Sequence, residues 1–339
     1  MTSSVGFPLA DWIDAHAHLP HNLGISGMVG ELASVPRALR TRPTADPSTL
    51  RREIARLHGV APERVFLTHG ATEGNALALS FLAFDARRRS GRAPRTASVR
   101  PEYPSLGDVA AVVGCRPARA TERPDVAYFS HPNNPTGQFL PLTTVTTMIG
   151  RARRTLVDEV FREFSGRRSV AHRSDLPGVW VTGSFTKAFG ADDLRVGFVL
   201  PCEDDVEAFE RHHGLLLDRL PPPSVSGARA LLASRSLVLG EARRIFRSNL
   251  TYLRGRRPDV PRLDAPVWFD RTGEREGGDR LATRAAGLGV LVCPGSMFGD
   301  PRGVRVCLTR RSFPADLEAY LAVRARIVGD DRSKVTAPR

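Results

Sequence analysis

The sequence predicts an α/β protein with a large domain built on a mostly parallel sheet flanked by helices, and two observations lead there. Short apolar runs alternate with helical patterns from about residue 64 to residue 200. Turn-forming and chemistry-bearing residues gather where those runs end, as in His69-Gly70-Ala71-Thr72, His131-Pro132-Asn133-Asn134-Pro135-Thr136-Gly137 and Asp158-Glu159. Open parallel sheets bind ligands outside the carboxyl ends of their strands, so this clustering fits that architecture. A chain of 339 residues holds one large domain or two moderate ones with a sizeable core.

In chain order, residues 8–17 set Leu9, Trp12, Ile13 and His16 on one helical face. Residues 20–46 carry many Gly and Pro and read as an arm crossing the surface. Pro47 opens a helix after Asp46 as N-cap, with Leu50, Ile54 and Leu57 as its stripe and Gly59 as its stop. Arg64–Thr68 is a strand that runs through a small-residue turn into an apolar helix ending near Ala86. Strands at Thr96–Arg100, Val126–Ser130 and Thr155–Asp158 alternate with helices near 104–113 and 142–151. Strands Val179–Thr182 and Leu194–Leu200 flank the one lysine-bearing loop, and residues 204–217 are helical. A long helical stretch over 224–255 follows Pro221-Pro222-Pro223 and links two domains. Strands near 267–269, 290–293 and 304–308 and a final helix near 314–328 complete a small α+β domain. The expected division is a large domain over residues 45–235 and a small one made of residues 1–44 and 236–339.

Composition narrows the function. The formal charge of +13 raises a nucleic-acid partner, but the arginines stand in short groups such as Arg87–Arg89 and Arg151–Arg154, with no basic stripe interleaved with aromatics. These read as solvated faces, not as a nucleic-acid site. No apolar run reaches membrane-spanning length, and the start MTSSVGFPLADWIDAHAH lacks a basic region before an apolar stretch. The four cysteines, Cys115, Cys202, Cys293 and Cys307, are scattered without a CxxC pair, which fits a reducing compartment. A soluble cytoplasmic enzyme is the expectation.

The chemistry centres on Lys187. The sequence has only two lysines, Lys187 and Lys334, against a large excess of arginine. Arginine stays protonated, whereas a desolvated lysine loses its proton and attacks a carbonyl to form a Schiff base. Ser184, Thr186 and Arg195 surround it in sequence and suit an anion. The turn Gly70-Ala71-Thr72 before a helix is a second anion-binding element, because free backbone N–H groups and the helix dipole face outward there. Arg305 lies on a strand between apolar neighbours and, taken alone, reads as an edge arginine facing water. A rival reading uses Asp14, His16 and His18: histidines alternating on a strand ligate zinc, as in a metal-dependent hydrolase.

The order Ser-x-Thr-Lys-Ala-Phe-Gly, then Leu-Arg-Val-Gly-Phe, together with Asn-Asn-Pro-Thr-Gly upstream, resembles the fold-type I pyridoxal-phosphate enzymes of the aminotransferase class I and II family. The resemblance covers roughly residues 47–328 and is closest to the branch of histidinol-phosphate aminotransferase and threonine-phosphate decarboxylase. It implies a cofactor, pyridoxal 5'-phosphate, held by Lys187 as a Schiff base. Asp158 would face the pyridine nitrogen and keep the ring an electron sink. Tyr103 would stack on the ring, Asn134 would donate to O3′, and Gly70, Ala71, Thr72, Ser184, Thr186 and Arg195 would hold the phosphate. Arg305, with Asn134, would receive the substrate carboxylate as a bidentate fork. Transamination between an amino acid and a 2-oxo acid is implied, with no metal, and a homodimer. Decarboxylation or another lyase reaction is the alternative on the same constellation. Two positions depart from the pattern. Phe161 stands where a tyrosine usually supplies a second donor to O3′, and Thr44-Ala45-Asp46-Pro47 replaces the Tyr-Pro-Asp-Pro frequent in this branch.

Overall fold

The computed structural model describes residues 7–335 except 120, 174, 275 and 276, with the backbone alone for 328–335. Helix α1 (Pro8–His16) forms where the amphipathic pattern placed it. The segment after it is not the expected surface arm. Strand β1 (His21–Asn22) pairs in parallel with Val290–Leu291, Leu23 and Met28 are fully buried, and helix α2 (Ser34–Ala38) packs against the later helices Pro222–Ala233 and Arg235–Arg256. These apolar residues follow neither a helical nor a strand period, so their burial left no periodic trace. Burying each such side chain is worth roughly 1.5–3 kcal/mol. Helix α3 (Pro47–His58) has the predicted ends: the Asp46 carboxylate accepts from the Ser48 N–H at 2.9 Å and the Thr49 N–H at 3.2 Å, and Gly59 turns left-handed at φ 66°.

Strand β2 (Phe66–Thr68) feeds helix α4 (Ala71–Ser90). The alternation continues through β3 (Arg95–Ser98), α5 (Pro104–Val112), β4 (Arg116–Pro117), β5 (Val126–Ser130), α6 (Leu142–Arg151), β6 (Arg154–Asp158), α7 (Arg162–Ser165), β7 (Val179–Ser184) and β8 (Gly197–Leu200). One seven-stranded sheet results, in the order β2-β8-β7-β6-β5-β3-β4. Its pairings are parallel except those of β8, which runs antiparallel to β2 and β7. Every residue of β5 and β7 is buried, as expected of strands covered by helices on both faces. The register sets Ser130 beside Asp158 and Asp158 beside Thr182, so β5 and β6 end level and β7 runs on to Ser184.

Beyond the sheet come α8 (Val206–Leu216), α9 (Pro222–Ala233), α10 (Arg235–Arg256), β9 (Val267–Arg271), α11 (Gly277–Gly287), β10 (Val290–Leu291), β11 (Cys293–Pro294), β12 (Gly303–Cys307) and α12 (Phe313–Val335). Three expectations need correction here. The strand predicted over Leu194–Leu200 starts only at Gly197, because residues 192–194 form a 3-10 turn and Arg195 is left-handed at φ 48°. The helix predicted over 224–255 is two helices that meet at Ser234, which leaves helical geometry at φ −99° and ψ 15°. The strand predicted over 290–293 divides between two sheets: β10 pairs with β1, whereas β11 joins β12 and β9 in an antiparallel sheet with β12 in the middle. No helix among the described residues is long and apolar enough to cross a membrane.

Candidate active site

A cavity of about 660 Å³ opens at the carboxyl ends of β5, β6 and β7. Every residue named from the sequence for the cofactor or the substrate lines it except Gly70, whose neighbours Ala71 and Arg195 do. At one end is an anion cradle. Gly70 caps α4 at φ 93°, a conformation that favours glycine, and leaves the first N–H groups of α4 facing the cavity. The fit is tight: a Cβ on Gly197 would stand 2.5 Å from the Gly70 carbonyl carbon, and one on Gly70 would stand 3.2 Å from Nη2 of Arg195. Among the described residues Arg195 is the one non-glycine with positive φ, and that turn brings its guanidinium over Gly70. Its Nη1 donates to Asp192 Oδ1 at 2.7 Å. The Ser184 and Thr186 hydroxyls, 2.8 Å apart, complete the cradle.

At the other end lies a buried acid. Asp158 accepts from the Val160 N–H at 2.9 Å through Oδ1 and from Asn75 Nδ2 at 2.9 Å through Oδ2. Burial pushes its pKa up, and those two donors pull it part of the way back. Asn75, in turn, accepts from Thr182 Oγ1 at 2.6 Å. Between acid and cradle stands Lys187, half-buried, its basicity depressed by desolvation above all. Its carbonyl accepts from the Met28 N–H at 3.1 Å, so the buried arm props the lysine loop.

Arg305 is not the water-facing edge arginine that its strand context suggested. It sits on the middle strand of its sheet and is 1% exposed. Nη2 donates to the Gly24 carbonyl at 2.6 Å and to Cys293 Sγ at 3.2 Å, Nη1 donates to Asn134 Oδ1 at 3.3 Å, and Nε has no partner. Among the described residues no carboxylate pairs with it. A buried guanidinium without a counterion is costly, and the arrangement suits an incoming anion.

Tyr103 lines the cavity with its ring edge-on to Phe7, centroids 6.2 Å apart, and burial pushes its hydroxyl up to about 12. Phe161 is buried in the same wall, beside Val160.

Sequence reasoning missed three contributors. Asn75 lies four residues after Ala71 on α4, so helical spacing was the available signal. Glu102 is buried behind Tyr103; its carboxyl accepts from the Tyr103 N–H at 2.6 Å, the Ser130 N–H at 2.9 Å, Asn133 Nδ2 at 3.3 Å and the Ser130 hydroxyl. It thereby ties the turn after β3 to the turn after β5, and burial pushes it up to about 8. The third is α1, whose Phe7-to-Asp14 face forms a cavity wall.

The hydrolase reading of Asp14, His16 and His18 fails on local structure. Asp14 and His16 lie on a helix, not on a strand, and the His16 ring packs on Trp12 with centroids 4.1 Å apart while Nδ1 bonds the Trp12 carbonyl at 2.7 Å. Among the described residues no three His, Cys, Asp or Glu side chains are placed to hold a metal ion.

Residues 114–256 match the family described as aminotransferase class I and II. Over 210 residues the chain is 32% identical to histidinol-phosphate aminotransferase 1 of Methylococcus capsulatus, a match covering 58% of this chain and 57% of that relative. The chain thus spans little more than half the length of the curated relatives it matches. Among solved structures, a PLP-dependent aminotransferase from Streptococcus suis superposes with a TM-score of 0.78 at 18% identity, covering 97% of this chain and 99% of the other. Histidinol-phosphate aminotransferase from Sinorhizobium meliloti, solved with pyridoxal-5'-phosphate, gives 0.73 at 18% identity with the same coverages. The chain has the fold of these solved structures, and its residues 114–256 match the class I and II aminotransferase family.

Proposed function

We propose that this protein is a pyridoxal-phosphate-dependent aminotransferase acting on an amino acid and a 2-oxo acid. The observation that carries the reading is one cavity holding a desolvated lysine amine, a buried carboxylate without a cationic partner bonded to it, an anion cradle and a buried arginine without a counterion. Those four features fit the cofactor's aldehyde, its ring nitrogen, its phosphate and the substrate carboxylate respectively. When bound, the cofactor supplies an electron sink for bonds at the substrate α-carbon.

The chain's own residues divide the work. The Gly70–Thr72 turn, Ser184, Thr186 and Arg195 hold the phosphate. Asp158 holds a proton on the ring nitrogen, kept in place by Asn75 and the Val160 N–H. Asn134 donates to the ring oxygen and Tyr103 packs on the ring. Lys187 Nζ, weakly basic because it is desolvated, takes and returns the proton at the substrate α-carbon. Arg305 orients the carboxylate, and Val160 and Phe161 keep that wall dry. The domain division at residues 45 and 236, a homodimer and a cytoplasmic location complete the proposal; four buried free cysteines support a reducing compartment.

The test is reconstitution with pyridoxal phosphate. The protein should turn yellow, and borohydride should fix the cofactor on the peptide containing Lys187. Lys187→Ala should unfold at the same temperature and lose turnover. Multiple turnovers by Lys187→Ala, or a label on another residue, would overturn the assignment.

A further inference from the structure

Helix α1 and the Phe7 that caps it line the cavity with Phe7, Ala10, Ile13 and Asp14. The first three lie about one turn apart and make an apolar ramp. Asp14 stands at its exposed end. The other charged groups of this cavity are already engaged: Asp158 with Asn75, Asp192 with Arg195, Arg305 with Asn134 and Gly24, and Lys187 by the task proposed above. The Asp14 carboxylate has neither a hydrogen bond nor an ion pair among the described residues. Among the acidic residues that line this cavity it is the one without a partner side chain or backbone donor. The cavity is therefore polarised, with a buried cation, Arg305, on one side and a free anion at the mouth.

We infer that Asp14 selects the substrate, an amino acid whose side chain is an apolar stem ending in a cation. The substrate carboxylate goes to Arg305, the stem lies on Phe7, Ala10 and Ile13, and the cationic head meets Asp14. An acidic side chain would meet like charge there and be rejected, which is selection by repulsion as well as by attraction. Asp14 is a specificity residue that takes no part in the bond changes. The inference rests on the cofactor reading of the same cavity.

The experiment uses the cofactor-loaded protein and measures dissociation constants for L-arginine, L-norleucine and L-glutamate from the change in visible absorption. An exposed ion pair is weak, so the expected preference for arginine over norleucine is about twofold to fivefold, with glutamate weakest. In Asp14→Asn the ratio of arginine to norleucine affinity should fall to near one, and Asp14→Glu should restore most of it. Norleucine or glutamate binding as tightly as arginine to the yellow wild-type protein overturns the selectivity alone, as does an arginine preference that survives in Asp14→Asn. A protein that takes up no pyridoxal phosphate overturns the cofactor reading and this inference with it.

Discussion

Asn75 Nδ2 donates to Asp158 at 2.9 Å while its Oδ1 accepts from Thr182 Oγ1 at 2.6 Å, so the threonine decides which way the amide faces. With the oxygen engaged, the NH₂ is left for the carboxylate. A helix and two neighbouring strands are thereby joined through one side chain beneath the cavity.

Asn75→Ala should break both bonds and leave a buried hydroxyl and a buried carboxylate each one partner short. An unsatisfied buried group costs about 1–3 kcal/mol, so the cofactor-free protein should melt several degrees lower. The Asp158 carboxyl should also rise further, weakening its hold on a protonated ring nitrogen. Calorimetry of the empty protein and a cofactor titration read the two effects separately; a variant with unchanged melting and unchanged cofactor affinity would remove Asn75 from the site.

Arg305→Lys keeps the charge and loses the fork. An ammonium in that place cannot serve the Gly24 carbonyl, Asn134 and a carboxylate with fixed planar geometry. Losing a charge-assisted bond of about 1.5–3 kcal/mol should weaken amino-acid binding by about tenfold to a hundredfold. The matching amines that lack a carboxylate should be affected far less, and equal weakening of both would show a general collapse of the pocket instead.

Glu102 makes stability depend on pH. Its carboxyl lies near 4.5 when unfolded and about 8 when folded, so between those values the folded protein binds the extra proton and stability falls as pH rises. Glu159, raised to about 7, adds the same sign over a narrower range, and His131, lowered to about 4, adds the opposite sign only below pH 6.5. The Glu102 contribution is therefore clearest between pH 7 and 8. In Glu102→Gln the downward slope of denaturation midpoint against pH should flatten in that interval; an unaltered slope would assign it to another group.

The large sheet was legible because its signals are local. Val126–Ser130 and Leu142–Arg151 are observed with the limits that alternation and periodicity gave them, and Asp46 and Gly59 cap α3 through side-chain and backbone preferences that act within four residues. The end of β6 at Asp158 was readable for the same reason. What stayed hidden depends on partners far along the chain. Arg305 looked like a surface residue because its acceptor at Gly24 is 281 positions away, and the burial of Leu23 and Met28 is dictated by β10 and the lysine loop. Glu102 gave no sign because an acid before a helix is ordinary until Ser130 and Asn133 close over it. Asp14 was read as a ligand from its neighbours His16 and His18, but Asp14 and His16 lie on a helix, where the His16 ring packs on Trp12 instead.

The pairing of β1 with β10 and the bond from Arg305 to the Gly24 carbonyl impose an order of assembly. The segment around Gly24 is synthesised before the large sheet, yet the arginine that bonds it follows 281 positions later. Until then Leu23 and Met28 have no partners from β10 to β12 and expose apolar surface, while the seven-stranded sheet, complete by Leu200, can already form. The cavity therefore closes only after the large sheet can form. A chain stopped short of Val290 would keep its sheet and its lysine, lose the carboxylate-gripping arginine, and carry a sticky, unsecured beginning.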